Sequence, residues 1–401
     1  MLVPLLIFAG TYAVLAFGRV PLLRVDRTGA AIIGAILMVA AGGVPFDEAY
    51  RAIDYRTVVL LFGMMVLVAN LRLALFFRVL AQGVTRVRRP AWLLVVVVFV
   101  AGGLSALFVN DTICLVFTPV LVEVARTRGQ RPLPYLLALA TASNIGSSAA
   151  VTGNPQNMLI GSLSGLSYAR FSAALGPVAL VGLAIDAAVL TALFRRDLRS
   201  LPPPSEAPVI RPVHRALMVK SLAVTAGVLA GFLAGLEPAL VSACGAAILL
   251  ITRRVKPEKV YRQIDWGLLV LFVGLFVVVH GVSRAGLDVA FFEWLRPVGI
   301  GTVAGLTIVS AVLSNLVSNV PAVMLFTRVV PHLPNARAAW LALAMSSTLA
   351  GNLTVLGSIA NLIVVEGARR QGIRVSFTDY LRVGVPVTVL TLAAGVFWLS
   401  L

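Results

Sequence analysis

The chain has 401 residues, of which 59% are hydrophobic and 12% are charged, and its formal net charge at pH 7 is +17. Soluble globular proteins carry roughly 25% charged residues, so soluble enzymes, secreted disulfide scaffolds and nucleic-acid-binding proteins are excluded as primary interpretations. Apolar runs long enough to cross a bilayer recur from end to end, which predicts an all-α polytopic membrane protein in contact with lipid.

Ten apolar segments are predicted to span the membrane. They are residues 2–18, 28–44, 57–76, 134–163, 171–194, 216–235, 239–252, 265–283, 336–365 and 382–401. Arg19, the first arginine, follows the first apolar run instead of preceding it. This order argues against a cleaved signal peptide and favours a first helix whose N-terminus lies outside.

The positive residues support that orientation. With the N-terminus outside, the predicted cytoplasmic loops hold 26 of the 33 lysine and arginine residues, as the positive-inside rule requires. We therefore predict a multi-pass protein of the cell (cytoplasmic or inner) membrane with both termini outside. The net charge of +17 is interpreted as a topology signal facing anionic lipid, and no nucleic acid is expected as a partner.

A proline-rich segment, residues 195–215, is predicted to be a cytoplasmic linker between two halves, 1–194 and 216–401. Each half contains five predicted spans and one further apolar stretch, at 91–126 or at 297–332. Because five is an odd number, the second half enters the membrane from the opposite side. That arrangement is typical of secondary transporters built from inverted repeats.

Two sequence blocks recur in the same order in both halves. Residues 110–118 (NDTICLVFT) align with 319–327 (NVPAVMLFT), an offset of 209 residues (319 minus 110). Residues 143–157 align with 347–361, an offset of 204 residues (361 minus 157). Two matching blocks at nearly one offset indicate an internal repeat.

The further apolar stretches, 91–126 and 297–332, are predicted to be re-entrant hairpins. In the first, the arms 92–109 and 112–125 flank the polar pair Asn110-Asp111. The second arm has 14 residues, and a helix of that length rises about 21 Å, less than the ~30 Å hydrocarbon core. The corresponding arm of the second half, 320–330, is shorter still. Two ordinary helices joined by a surface turn are the alternative.

The segments 134–163 and 336–365 are predicted to be broken helices, because each carries a polar block at its centre. Pro155 removes a backbone donor, and Gly146 and Gly153 tolerate unusual dihedral angles. We expect the freed backbone groups to be satisfied by a cavity, an ion or a substrate. The predicted substrate-binding residues at the hairpin tips and helix breaks are Asn110, Thr112, Ser143, Asn144, Gly153, Asn154, Gln156, Asn157, Ser318, Asn319, Ser347, Thr348, Asn352, Gly357, Ser358 and Asn361.

The hairpin tips and the polar blocks at 143–157 and 347–361 contain no lysine or arginine, so a multiply charged anion would depend on helix ends alone. A small hydroxylated solute needs only paired donors and acceptors, which the segments supply. Asp111 is the predicted proton-coupling residue, with Asp186 as second choice; a structural hydrogen bond is an equal alternative for Asp186. No cofactor is expected and no metal site is assigned, although Asn110, Ser143 and Gly146 are alternative sodium ligands.

The blocks carry a family resemblance. FVNDTICLVFTP at 108–119 resembles the hairpin motif of arsenite permeases, and SNIGSSAAVTGNPQNMLIGSLSGLSY at 143–168 is similar to the SNIGSS…GNPQN block of plant silicic-acid efflux transporters. On these motifs the chain is identified as a member of the ion transporter superfamily. That superfamily also includes sodium–proton antiporters and divalent anion–sodium symporters.

The resemblance implies an elevator mechanism, with a scaffold and a moving transport domain, and efflux of neutral metalloid hydroxides (arsenite, antimonite or silicic acid) in exchange for protons. The symporter branch binds sodium with Ser-Asn-Thr tips, whereas the tips here read Asn110-Asp111-Thr112 and Ser318-Asn319-Val320. This departure favours a proton carried by Asp111. A sodium-coupled carrier of a dicarboxylate or other anion and a sodium–proton antiporter stay open, as does a homodimer.

Overall fold

The structure is a computed structural model that describes residues 2–17, 19–20, 25–84, 86–198, 215–252 and 255–401. The predicted linker therefore lies outside the described residues, except for 195–198 and Arg215. Within these ranges the chain forms twenty α-helices and a two-residue antiparallel hairpin, β1 (Arg19–Val20) with β2 (Val25–Asp26). Apart from this hairpin, the regular secondary structure of the described residues is helical.

The helices form two series of ten. The first is α1 Leu2–Phe17, α2 Arg27–Ala40, α3 Phe46–Ala49, α4 Tyr55–Leu73, α5 Phe76–Val84, α6 Pro90–Leu107, α7 Asn110–Thr127, α8 Leu133–Ser147, α9 Pro155–Leu163 and α10 Tyr168–Leu193. The second is α11 Arg215–Leu233, α12 Pro238–Leu250, α13 Pro257–Tyr261, α14 Trp266–Arg284, α15 Leu287–Leu295, α16 Val303–Val317, α17 Asn319–Phe326, α18 Ala336–Leu349, α19 Ile359–Arg370 and α20 Phe377–Ser400. Corresponding helices appear in the same order in both series.

Six of the described helices are long and apolar enough to cross a membrane, namely α4, α6, α10, α11, α14 and α20. Helices α1, α2, α12 and α16 are apolar but shorter. The predicted spans at 134–163 and 336–365 are each two helices with a break between them, α8 with α9 and α18 with α19. The chain is thus a multi-pass membrane protein whose core includes interrupted helices.

The first predicted hairpin is longer than expected. Helix α7 begins at Asn110 instead of Thr112 and continues to Thr127, so α6 and α7 have 18 residues each and rise about 27 Å. The argument from arm length was therefore wrong for this hairpin, because the polar pair forms the first turn of α7 and not a loop. The second hairpin keeps short arms, with 15 residues in α16 and 8 in α17.

A further repeat motif, which the sequence analysis missed, lies before α4 and α14. Residues 50–54 read YRAID and residues 261–265 read YRQID, an offset of 211 residues (265 minus 54). Asp54 and Asp265 cap the two helices, because their side chains accept hydrogen bonds from the amides of Arg56 and Leu268. The repeated sequence is therefore not confined to the polar blocks and includes residues 50–54 and 261–265.

Helices of one repeat pack against helices of the other. Helix α4 of the first repeat packs against α12 of the second, and α14 of the second packs against α2 of the first. Glycines at matching positions allow these close crossings: a Cβ atom on Gly63 would lie 2.7 Å from Ser242, and one on Gly274 would lie 2.7 Å from the backbone of Ala31. The fourth helix of each repeat thus packs against the second helix of the other repeat.

Loops predicted to share one side of the membrane contact one another. The ends of α4, α9, α10, α11 and α12 line one cavity of about 270 Å³. At the other end of the molecule, the Arg128 guanidinium donates to the Val87 carbonyl at 2.7 Å and Arg131 forms an ion pair with Asp197 at 3.3 Å. These contacts show which helix ends lie together; the orientation in the membrane stays a prediction.

We predict that Gly274→Ala destabilises the protein by about 1–3 kcal/mol, because the added methyl group overlaps the backbone of α2 and the helices must separate. Gly103→Ala in α6 is the matched control, since a Cβ atom there meets nothing within 4 Å. Thermal unfolding in detergent measures both. Equal transition temperatures for the two variants would contradict the close α14–α2 crossing.

Candidate functional site

Both broken helices stop and restart inside the protein. Helix α8 ends at Ser147, a 3₁₀ turn covers Val151–Gly153, and α9 starts at Pro155. In the second repeat α18 ends at Leu349, 3₁₀ turns cover Ala350–Asn352 and Val355–Gly357, and α19 starts at Ile359. Each break leaves backbone carbonyl and amide groups without helical partners.

One asparagine in each repeat satisfies the broken backbone. The Asn157 side-chain amide donates to the carbonyls of Ser147 at 3.1 Å and Ala150 at 3.2 Å. The Asn361 side-chain amide donates to the carbonyls of Gly351 at 2.7 Å and Thr354 at 3.1 Å. In both repeats the acceptors lie ten and seven residues before the asparagine. The same hydrogen-bonding device therefore occurs twice, at the offset of 204 residues that the sequence predicts.

These contacts correct one expectation. We expected the freed backbone groups to be satisfied by a cavity, an ion or a substrate, whereas the carbonyls at both breaks bond to asparagine side chains of the protein. Gly153 and Gly357 allow the tight turn, because a Cβ atom there would lie 2.1 Å from the Ser147 carbonyl oxygen or 2.8 Å from that of Gly351. The two glycines are therefore packing requirements of the breaks.

Asn144 joins the breaks of the two repeats. Its amide nitrogen donates to the Oδ1 atoms of Asn352 at 2.8 Å and Asn361 at 2.9 Å. Its amide oxygen accepts from Asn110 at 3.0 Å and from the Ser358 hydroxyl at 2.9 Å. All five side chains are at most 7% exposed. We call these five residues the first polar cluster; they link the first hairpin tip to the second broken helix.

Thr348, which corresponds to Asn144 at the offset of 204 residues, makes the reciprocal contacts. Its hydroxyl oxygen accepts from Asn154 at 3.1 Å and from Gln156 at 3.4 Å, and it donates to Asn157 Oδ1 at 3.4 Å. Asn154 also donates to the Ser147 hydroxyl at 3.0 Å and caps α9. This second polar cluster, Ser147, Asn154, Gln156, Asn157 and Thr348, links the first broken helix to the second repeat.

The first hairpin tip has one side chain inside the first polar cluster and two beside it. Asn110 donates to Asn144, and its oxygen accepts from the Asp111 amide at 3.0 Å. The carboxyl group of Asp111 is half-buried and makes no hydrogen bond to the described residues. Thr112 is half-buried. The Asp111 carboxyl group is thus available to a proton or a ligand.

The second hairpin tip is strained and has unpaired acceptors. Ser318 adopts φ 79° and ψ 157°, a region that costs a non-glycine residue about 1–3 kcal/mol. The amide nitrogen of Asn315 donates to the Ala350 carbonyl at 2.9 Å, which fixes its oxygen on the opposite side. The Oδ1 atoms of Asn315 and Asn319 and the Ser314 hydroxyl are buried without hydrogen-bond partners.

The remaining predicted residues lie near the two polar clusters, which we call together the centre. Their contacts are different from those described above. The Ser143 hydroxyl bonds to the Cys114 sulfur at 3.1 Å, and Ser347 donates to the Ala344 carbonyl at 3.4 Å. A Cβ atom on Gly146 would lie 2.0 Å from the Gly102 carbonyl oxygen, so Gly146 is where α8 crosses α6. Asp186 is fully buried and contacts the centre through Thr141.

Sequence reasoning missed two side chains that border the polar clusters, Thr141 and Tyr380. Thr141 looked like an ordinary residue of an apolar helix. Tyr380 was assigned to a loop, because the last span was predicted to begin at 382, whereas α20 begins at Phe377. A capping box of Ser376 and Asp379 starts this helix, and that Ser-x-x-Asp pattern could have revealed the earlier start.

We predict that Asn157→Ala and Asn361→Ala each lower the free energy of unfolding by about 2 kcal/mol or more, because each orphaned buried carbonyl costs roughly 1–3 kcal/mol. Both should also weaken substrate retention. Asn70→Ala is the matched control: this buried asparagine donates only to Val66, four residues earlier in its own helix. If thermal unfolding gave all three variants the same loss, the two asparagines would not be holding the breaks.

Comparisons with known proteins agree with this architecture. A citrate transporter family model (CitMHS) matches residues 12–350. The silicon efflux transporter LSI3 of Oryza sativa subsp. japonica is 33% identical, with 96% of this chain and 95% of LSI3 aligned. The putative transporter arsB of Dictyostelium discoideum is 26% identical, with 93% of this chain and 87% of arsB aligned.

A solved structure has the same fold. The YdaH transporter of Alcanivorax borkumensis superposes with a TM-score of 0.61 at 17% sequence identity. The superposition covers 99% of this chain and 96% of the YdaH chain. The relatives are transporters and not enzymes. In agreement with the resemblance to the ion transporter superfamily, the chain belongs to the citrate transporter family of membrane transporters.

Proposed function

We propose that the protein is a secondary active transporter that exports a small neutral hydroxide of the arsenite, antimonite or silicic acid class in exchange for protons, by an elevator mechanism. The substrate would bind between the two hairpin tips and the two broken helices. We place the protein in the cytoplasmic membrane, with both termini outside. The observation that carries the proposal is the set of unpaired acceptors at the second hairpin tip.

Those acceptors suit a ligand that donates hydrogen bonds. The Oδ1 atoms of Asn315 and Asn319 are buried without donors, and an unsatisfied buried acceptor costs about 1–3 kcal/mol. Arsenite and silicic acid are neutral at pH 7 and carry only hydroxyl groups, which can donate to both oxygens. Strain at Ser318 is consistent with a tip that is held ready for a ligand.

The absence of compensating charge argues against a multiply charged anion. Within the described residues, both polar clusters and both tips contain amide and hydroxyl groups and no arginine or lysine. A buried polyanion without a cation partner is strongly disfavoured. The names of two relatives, a silicon efflux transporter and a putative transporter called arsB, agree with a metalloid hydroxide.

The exchange of helices between repeats supports an inverted repeat and an elevator. Helices α4, α12, α14 and α2 pack in reciprocal pairs, while the broken helices bind one another through the polar clusters. We assign the first group to the scaffold and the hairpins with the broken helices to the moving domain. A two-fold axis in the membrane plane would relate the repeats, as in other transporters of this type.

The alternative is a sodium-coupled carrier of a carboxylate or other anion. The family's description as citrate transporters favours it, and the unpaired oxygens of Asn315 and Asn319 are also suitable ligands for a cation. A sodium–proton antiporter is a third candidate, for which the described centre offers Asp111 and Asp186. Sodium dependence separates these candidates from proton-coupled export.

We predict that Asp111→Asn abolishes pH-driven flux of arsenite or germanic acid in proteoliposomes, because the substituted side chain cannot release a proton. Asp47→Asn, an exposed residue of α3, should transport like the unmodified protein. Both variants should still bind the substrate. Unaltered pH-driven flux in Asp111→Asn would refute the role of this carboxyl group.

We predict that Asn319→Ala raises the KM for the hydroxide about tenfold, the equivalent of about 1.4 kcal/mol, without loss of thermal stability. The reason is that its oxygen has no partner in the protein, so its removal orphans no other group. Asn361→Ala is the contrasting variant, since it should lose stability. An unchanged KM together with lost sodium-dependent stabilisation would instead favour a cation at this tip.

A further inference from the structure

Asp186 is a buried acid outside the two polar clusters. It lies in α10, which packs against α6, α8, α11, α18 and α20, and its side chain is 0% exposed. Its Oδ2 atom lies 2.9 Å from the Thr141 hydroxyl, and its Oδ1 atom has no hydrogen-bond partner. A buried carboxylate normally has several donors or a cation beside it.

The contacts of the Thr141 hydroxyl group indicate whether Asp186 carries a proton. The Thr141 hydroxyl oxygen lies 2.8 Å from the Leu137 carbonyl and 2.9 Å from Asp186 Oδ2, yet a hydroxyl group has one hydrogen to donate. Two other buried threonines of this protein, Thr11 and Thr118, donate to the carbonyl four residues earlier. If Thr141 does the same, the second contact requires a proton on Asp186.

The second repeat shows that packing alone does not require an acid here. Asp186 corresponds to Gly395 at an offset of 209 residues (395 minus 186), the offset that also relates the helix prolines Pro177 and Pro386. A Cβ atom on Gly395 would lie 2.0 Å from the Met345 sulfur. Met345 corresponds to Thr141 at the offset of 204. An apolar glycine–methionine pair thus fills the place that Asp186 and Thr141 fill in the first repeat.

Tyr380 supplies a second partner for the acid. Its side chain is 1% exposed and its hydroxyl group has no hydrogen-bond partner within the described residues. The hydroxyl group also lies near the Asn361 amide. Tyr380 lies on α20, which packs against α10, the helix of Asp186. An unpaired acceptor on α10 and an unpaired donor on α20 are therefore both buried between packed helices.

The helices that pack against α10 carry the following other ionisable groups. Helix α6 has none, α8 has Tyr135, α11 has Arg215 and Lys220, and α18 has Arg337. On α10 itself and on α20 the others are Tyr168, Arg170, Asp379 and Arg382. Within the described residues, none of these basic groups forms an ion pair with Asp186, whose hydrogen-bond partner is the Thr141 hydroxyl group.

We propose that Asp186 and Tyr380 form a second proton-binding site, directly behind the polar clusters. In the conformation described, Asp186 carries the proton and donates to the Thr141 hydroxyl oxygen. On release of that proton, Thr141 turns from the Leu137 carbonyl to Oδ2 and Tyr380 donates to Oδ1, so the carboxylate gains two donors. The proposal rests on proton-coupled transport for its purpose, but the protonation state is independent of the substrate.

The site connects to the centre by two short routes. The Thr141 carbonyl accepts from the Asn352 side-chain amide at 3.1 Å, and Asn352 Oδ1 accepts from Asn144. On the other route Tyr380 borders Asn361, which holds the second break. Movement of Thr141 or Tyr380 on deprotonation therefore acts on both partners of Asn144. This connection gives the proton a means to alter the geometry of the substrate site.

Infrared difference spectroscopy of the purified protein tests the proposal without any transport assay. At pH 7 a protonated-carboxyl stretching band should be present, absent in Asp186→Asn, and shifted in Thr141→Val and in Tyr380→Phe. Asp47→Asn should leave the band unchanged. A band that survives in Asp186→Asn and does not move in the other two variants would overturn the assignment. If Asp186→Asn does not fold, the shift of the band in Thr141→Val and in Tyr380→Phe is the test.

The two proposals can fail separately. If Asp186 carries the band but flux depends on sodium and ignores pH, the proton site stands and proton-coupled export fails. If flux depends on pH and Asp186→Asn flattens that dependence without altering the KM, both stand. If the band is absent and the Asp186→Asn variant keeps the full pH profile, the second proton site is wrong while Asp111 remains the coupling group.

Discussion

Backbone that leaves its helix within a membrane must find hydrogen-bond partners inside the protein, because lipid offers none. Two places in this chain face that constraint, the breaks between α8 and α9 and between α18 and α19. At the breaks, Asn157 and Asn361 each donate to two carbonyls of the unwound turn. The asparagines are then held by residues of the other repeat. Each break is therefore stable only when its partner break is also formed.

This mutual dependence explains why the centre is polar without being charged. Amide groups both donate and accept, so asparagines can bridge backbone, hydroxyl groups and one another with every hydrogen used. Departures from that full pairing include the acceptors of the second tip, Asp186 and Tyr380, together with the half-buried carboxyl group of Asp111. The paired atoms form the framework, and we assign ligand and proton to the unpaired ones.

The repeats are alike in framework and different in chemistry. The capping aspartates, crossing glycines and break asparagines correspond at offsets between 204 and 211 residues, the differences of 361 and 157 and of 265 and 54. Asp186 is matched by Gly395, and Asp111 by Val320. Symmetric positions satisfy folding, whereas an acid that occurs in one repeat alone is free to serve coupling. The position of both acids in the first repeat makes the transporter chemically one-sided.

Much of this arrangement could be predicted from the sequence. Hydropathy and the two repeated blocks predicted the spans, the breaks near Pro155 and Asn361, and the family. The length of α7 and the earlier start of α20 were not predicted, because polar residues in a first helical turn resemble a loop when read alone. Which atoms would pair across the repeats could not be predicted either. Asn144 and Thr348 gain their partners from residues about 200 positions away, and only the folded chain brings them together.

The central claim is that the two breaks stabilise one another, and a double-mutant cycle tests it most directly. Asn144→Ala, Ser358→Ala and the double variant would be compared by thermal unfolding in one detergent. Because the two side chains bond at 2.9 Å across the repeats, the account predicts a coupling energy of about 1 kcal/mol, within the range for residues in contact. Strictly additive losses would contradict it, because the breaks would then be independent of each other.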